Sequence, residues 1–123
     1  PEAKDIIDAF LNQNKKQFVQ LSKNQDSVTL ITFLRSLTGS MLRLHHIKSV
    51  IEDGATIDTA LGKAQPPVFF KEKNSLKTQV QLWGLEDLSQ SIETARQLEV
   101  EIKKNSTAAN DIVTFKLLTH ISH

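Results

Sequence analysis

The sequence predicts an all-α fold: a bundle of five to six helices in a single domain spanning residues 1–123. Three observations carry that expectation. Apolar residues recur at steps of three and four along nearly the whole chain, the spacing that lines one face of an α-helix. No segment alternates with period two, and the Asp53-Gly54 dipeptide does not join two strand-like runs. Glycines and prolines fall between the periodic segments, with Gly39 the exception.

Taken in order, Ala3, Ile6, Ile7, Phe10 and Leu11 form one apolar stripe, predicting a short helix that ends near Asn12-Gln13-Asn14. Phe18, Val19 and Leu21-Ser22 predict a second, stopped by Asn24-Gln25-Asp26, so that the two make a helical hairpin. Ser27 stands as the N-cap of the longest element, over 27–52. There Leu30, Leu34, Leu37, Met41, Leu44 and Ile51 recur at alternating four and three, interrupted only by Lys48. Val28, Ile31, Phe33, Leu42, Ile47 and Val50 widen that seam, and a helix apolar over so much of its circumference is central to the bundle. An interior glycine costs about 1 kcal/mol relative to alanine unless packing recovers it, so Gly39-Ser40 predicts a kink or a tight helix crossing.

Glu52-Asp53-Gly54 ends this helix, the glycine suiting the left-handed cap position. Thr56 caps a short helix through Leu61, closed by Gly62. Pro66-Pro67 forms a connector, since proline removes backbone donors and forces the preceding residue out of the α region. Leu76, Val80 and Trp83, four and three apart, place a helix over roughly 71–83 with the tryptophan in the core. Gly84 breaks the chain, and Leu85, Leu88, Ile92, Ala95, Leu98 and Ile102 line a long helix. Its other face offers the pairs Glu93 with Arg96 and Glu99 with Lys103. After Asn105-Ser106-Thr107, a last helix over 108–121 carries Ile112, Val113, Phe115, Leu117, Leu118 and Ile121.

At 123 residues the chain is long enough to bury a real core. With no cysteine it has no disulfide framework and no thiolate metal site, which fits a reducing cytoplasm. No apolar run approaches the ~20 residues of a membrane span, and no signal-peptide pattern is present. The formal charge of +1 neither demands nor excludes an acidic partner. The chain begins at Pro1 and its only methionine is Met41, so it is expected to be an excised C-terminal domain of a longer protein.

Catalytic chemistry finds little footing. His45 and His46 are adjacent, point about 100° apart on a helix, and cannot share a metal. His120 and His123 have ligand-like spacing but suit capping at a helix C-terminus. No serine sits in a nucleophile elbow, and the glycines at 39, 54, 62 and 84 are too dispersed for a phosphate loop. Glu52-Asp53 and Glu86-Asp87 lie at helix ends, and the second pair complements a helix N-terminus. The expectation is a non-enzymatic domain with no metal and no cofactor. The basic residues say more. Lys63, Lys71, Lys73 and Lys77 flank Phe69-Phe70, with only Glu72 opposing them. Such a cluster suits a nucleic-acid backbone and a stacked base, making a small helical nucleic-acid-binding domain using residues 63–77 one functional alternative. For the two rings themselves, burial against the bundle is the first expectation, and a split with one ring inward also suits adjacent residues.

The order Pro66-Pro67-Val68-Phe69-Phe70-Lys71-Glu72-Lys73, then a leucine, Trp83 and a Leu-rich acidic helix resembles the C-terminal domain of the bacterial DNA polymerase III delta subunit, a clamp-loader component. Asp8-Ala9-Phe10, the run Leu30-Ile31-Thr32-Phe33-Leu34-Arg35-Ser36-Leu37 leading to Met41-Leu42-Arg43-Leu44, and Lys103-Lys104 in a turn extend the likeness over roughly residues 6–121. The resemblance implies a collar domain that packs with other clamp-loader subunits, in a complex that loads the sliding clamp onto primed DNA. It implies contact with the sliding clamp only through N-terminal modules that this sequence lacks. It also implies primer-template DNA near the collar, with Phe69 or Phe70 at the aromatic position and Lys71 and Lys73 beside it. Asn105-Ser106-Thr107 departs from the family in offering no aromatic, and Gly84 replaces a better helix cap. A collar has more apolar helix surface than a monomer needs, and Ile47, Val50, Ile51, Phe115 and Leu118 are the residues expected to supply it.

Overall fold

The computed structural model describes residues 3–104 and 109–121. Among them are seven α-helices and one 3-10 turn, and no strand: α1 (Ala3–Leu11), α2 (Lys15–Leu21), α3 (Ser27–Glu52), α4 (Ile57–Gly62), the turn Phe70–Glu72, α5 (Lys73–Leu82), α6 (Leu85–Lys104) and α7 (Ala109–Leu118). The fold is all-α as expected, with seven α-helices among the described residues where five to six were expected; each of the seven, the short α2 and α4 included, matches a segment whose sequence predicts a helix.

Helix α3 is the axis of the bundle. It packs most extensively on α6 and also touches α1, α4, α5 and α7. Its seam residues Leu30, Leu34, Leu37, Met41 and Leu44 are buried together with Phe33 and Ile47. From α6 the facing stripe Leu88, Ile92, Ala95, Leu98 and Ile102 closes the core, at the spacing the sequence displays. Gly39 lies in this helix without being a crossing point, since a Cβ placed there would meet nothing within 4 Å and the helix continues through Ser40. Lys48 is not a defect in the seam either. Its Nζ donates to the Val80 carbonyl at 2.7 Å, one of the carbonyls that the C-terminal turn of α5 leaves without a helical partner.

Local chemistry sets the ends. Asp26, not Ser27, is the N-cap of α3: its side chain accepts from the Thr29 N–H at 2.7 Å. Asn14 and Thr56 do the same for α2 and α4, accepting from Gln17 and Thr59, each at 3.1 Å. Gly54 follows α3 with φ +112°, a conformation that side chains rarely adopt. The helix expected over 71–83 is a 3-10 turn followed by α5, and the last helix ends at Leu118, short of 121. Lys103 and Lys104 belong to the last turn of α6, not to a connector. The Asn105-Ser106-Thr107 segment, like His123, lies outside the described residues.

The helical hairpin is laced to α5 at one end of the bundle. Trp83, 1% exposed, donates its indole N–H to the Leu11 carbonyl at 2.8 Å. Gln79 Nε2 donates to Asn12 Oδ1 at 3.0 Å, and Gln13 Nε2 donates to the Leu82 carbonyl at 3.1 Å. Phe10 sits between Trp83 and Phe18, with both ring centroids 5.4 Å away. Carbonyls freed by the ends of two helices are thus satisfied by side chains of the opposing segment, while aromatic packing excludes water between them.

Candidate functional site

The segment leading into α5 presents the exposed aromatics. Arg43 of α3 reaches Glu72 through two bonds, Nη1 to Oε1 at 3.2 Å and Nη2 to Oε2 at 2.9 Å. Arg43 Nη1 also lies 3.4 Å from the Pro66 carbonyl, and Glu72 Oε1 accepts from the Phe69 N–H at 3.0 Å. One carboxylate therefore ties the proline loop both to its own 3-10 turn and to the central helix. Bonding to Arg43 is the main cause holding the Glu72 carboxyl below the usual range, helped by the Phe69 N–H and opposed by partial burial.

Held this way, the loop turns both rings outward: Phe69 is 77% exposed and Phe70 82%. The expectation that the pair would pack into the bundle, wholly or by half, is overturned. Val68, partly buried, is the loop residue that packs on the core instead. The lysine cluster is also smaller than the sequence suggests. Lys73 and Lys77 both approach Asp58 of α4, at 3.5 and 3.4 Å, and these contacts lower the Asp58 carboxyl, Lys77 having the larger effect. Lys63 and Lys71 are exposed and have no ion-pair partner among the described residues. The free positive charge next to the rings is thus Lys71, with Lys63 at the end of α4. The counter-charge Asp58 lay outside the 63–77 window, which is why a local reading missed it.

The residues expected to face partners divide. Ile47 is 0% exposed and belongs to the domain's own core, because α3 is the central helix and is packed on by α1, α4, α5, α6 and α7. Val50, Ile51 and Leu118 are partly buried and pack against that core. Phe115, 70% exposed, stands out on α7. The structure adds Val28, Leu42, Val100 and Ile112 as exposed apolar side chains. The signal for Val100 was present in the sequence, since it falls outside the Leu98–Ile102 stripe.

Other chemistry is paired within the fold. His45 Nε2 lies 3.3 Å from Ser89 Oγ, bridging α3 and α6 on the surface. His120 Nε2 lies 2.8 Å from Thr94 Oγ1, and burial there lowers its pKa, with Asp87 opposing. A cleft of ≈ 270 Å³ bordered by α1, α3 and α5 has Arg43, Glu72, Lys4 and Asp8 on its walls. These charges pair with one another, Lys4 with Asp8 at 3.5 Å. Among the described residues no group of three or more His, Cys, Asp and Glu is placed to hold a metal ion, and no helix is long and apolar enough to cross a membrane.

No family model, curated protein or solved structure matches the chain.

Proposed function

We propose that the chain is an assembly module of the clamp-loader delta-subunit type, a collar domain covered by other loader subunits and performing no catalytic step of its own. Its place of work on that reading is the cytoplasm. The observation that supports it best is the 66–83 segment. There the order Pro-Pro-Val-Phe-Phe-Lys that carries the resemblance forms a loop fixed by Arg43 and Glu72, with two rings in solvent. Phe115, with Leu118 partly covered, adds apolar area on α7, and Val50 and Ile51 are partly covered at the C-terminal end of α3. Apolar area that a domain leaves uncovered in this way marks an interaction surface. On this reading Phe115 and its neighbours meet sister subunits, and the proline loop lies toward primer-template DNA. Mixing the chain with purified loader subunits and running size exclusion tests the assembly: a larger shared species is expected, and separate elution at every concentration excludes it.

A second reading, a nucleic-acid-binding domain, is favoured by the exposure of Phe69 and Phe70 beside Lys71. Each base stacked on an aromatic ring contributes ~1–3 kcal/mol, but each phosphate contact needs an unpaired cation, and Lys73 and Lys77 already share Asp58. Binding of single-stranded or junction DNA by this domain alone is therefore expected to be weak and to fall with salt with a shallow slope. Tight binding with a steep slope would favour this reading over the collar.

A further inference from the structure

The second exposed ring of the proline loop and two lysines of α5 lie along one line. Phe70 opens the 3-10 turn, which runs directly into α5 at Lys73. Three residues of 3-10 helix make a full turn, so Lys73 falls in line with Phe70, and four residues of α-helix bring Lys77 only about 40° further round. Ring, cation and cation thus follow one another at steps of about 6 Å. Lys71 is exposed within the same turn, and Lys63 stands at the end of α4. Glu72, the one acid between residues 63 and 77, is bonded to Arg43 of α3, which neutralises it.

Asp58 of α4 is what neutralises the lysines. Its Oδ1 lies 3.5 Å from Lys73 Nζ and 3.4 Å from Lys77 Nζ, and no other acid pairs with either lysine among the described residues. The Asp58 side chain is 69% exposed, so these pairs are weak and open to exchange for another anion. We propose that Asp58 is an intramolecular stand-in for nucleic-acid phosphate, which occupies Lys73 and Lys77 and so sets how tightly the Phe69-Phe70 face holds single-stranded DNA. Rings with open faces take unpaired bases, and cations on the following turns take the phosphates between them. An acidic peptide would satisfy the lysines and leave both rings in water. With Asp58 in place, only Lys71 and Lys63 offer free charge to a strand; without it, four lysines do. The inference rests on the reading of this segment as a nucleic-acid contact, in a loader or alone, and adds the residue that restrains it.

The test is fluorescence anisotropy of the full chain with labelled oligo(dT), titrated over a series of salt concentrations. Asp58→Asn keeps the side chain's size, removes its charge, and is expected to tighten binding about tenfold at low salt. The slope of log affinity against log salt should steepen by about 1.4, the value for two more phosphates at ~0.7 each. Asp111→Asn makes the same change in net charge on α7, which packs on α3 and α6, and should stay within about twofold of the parent. Adding K73Q and K77Q to D58N should cancel both gains. The melting temperature of D58N should match the parent's, because Asp58 is exposed and Thr56 still caps α4; Asp58→Ser gives the same result by a second route. A D58N chain that binds no better than the parent, or no better than D111N, overturns the proposal. So does a gain that survives the loss of both lysines. Polyglutamate that displaces the strand as well as unlabelled oligo(dT) does would assign the face to acidic peptides and overturn it too. Failure of the underlying reading looks different: no variant binds the strand, or binding is indifferent to F69S/F70S. A parent that binds through its rings, with D58N unchanged, removes the restraint alone.

Discussion

Glu72 is the residue on which the proline loop depends. Its two bonds to Arg43 and its bond to the Phe69 N–H are charge-assisted, and the Arg43 side chain is mostly out of solvent. Replacing it by glutamine keeps the shape and removes the charge. E72Q is expected to cost ~1.5–3 kcal/mol in urea unfolding, the range for hydrogen bonds to charged groups. The pH dependence follows from the direction of the shift. Arg43 lowers the carboxyl in the folded state relative to the unfolded chain. The pair's contribution is therefore fully present above the ordinary carboxylate range and is lost as pH falls through the lowered folded value. Stability measured against pH should decline less steeply on the acid side in E72Q than in the parent; identical acid limbs would show that Glu72 is not a contributor. Trp83 illustrates the opposite kind of residue. Trp83→Phe leaves the Leu11 carbonyl without its donor in a dry site, and a loss of ~1–3 kcal/mol is expected. Trp83 was legible from sequence because Leu76 and Val80 share its helical stripe. The clamp on Glu72 was not, because Arg43 lies on a different helix and a charged pair at that separation leaves no local pattern.

At the scale of elements, the helices stand where periodicity put them, and the discrepancies lie at their ends. Asp26 and Ser27 are both good capping residues, and sequence alone does not rank two adjacent candidates. Thr56 caps α4 as spacing suggests, and Thr56→Ala is expected to cost about 1 kcal/mol. Gly54 terminates α3 at positive φ, so Gly54→Ala places a Cβ in a strained backbone region and should destabilise by ~1–3 kcal/mol despite open space around it. Gly39→Ala is the informative contrast. With room for the methyl and ordinary helical backbone, it should raise stability by about 0.4–1 kcal/mol in thermal or urea unfolding. A loss instead would mean that α3 uses that glycine for a close approach the structure does not contain. Helix α7 was harder to read, since apolar residues surround it. Val113 and Leu117 face the core while Ile112 and Phe115 face out, and the sequence does not say which pair is which.

At the scale of the whole molecule, stability and exposed apolar surface are separable. The core is continuous from the hairpin through α3 to α6, and Leu34→Ala at its centre is expected to cost ~2–5 kcal/mol. Phe69, Phe70 and Phe115 contribute almost nothing to that core, so serine at any of them should change unfolding free energy by no more than about 0.5 kcal/mol. Three uncovered phenylalanines on a domain that has buried its other aromatics are the ground for the proposal that this surface serves contacts beyond the domain. That proposal is the central claim, and the molar mass of a mixture tests it. The chain and the remaining subunits of a bacterial clamp loader, passed together over size exclusion with light scattering, are expected to elute as one assembly containing the chain. Phe115→Ser should remove the chain from that assembly while leaving its melting temperature in place. A parent chain that elutes alone at its own mass, with every other subunit present, would contradict the claim.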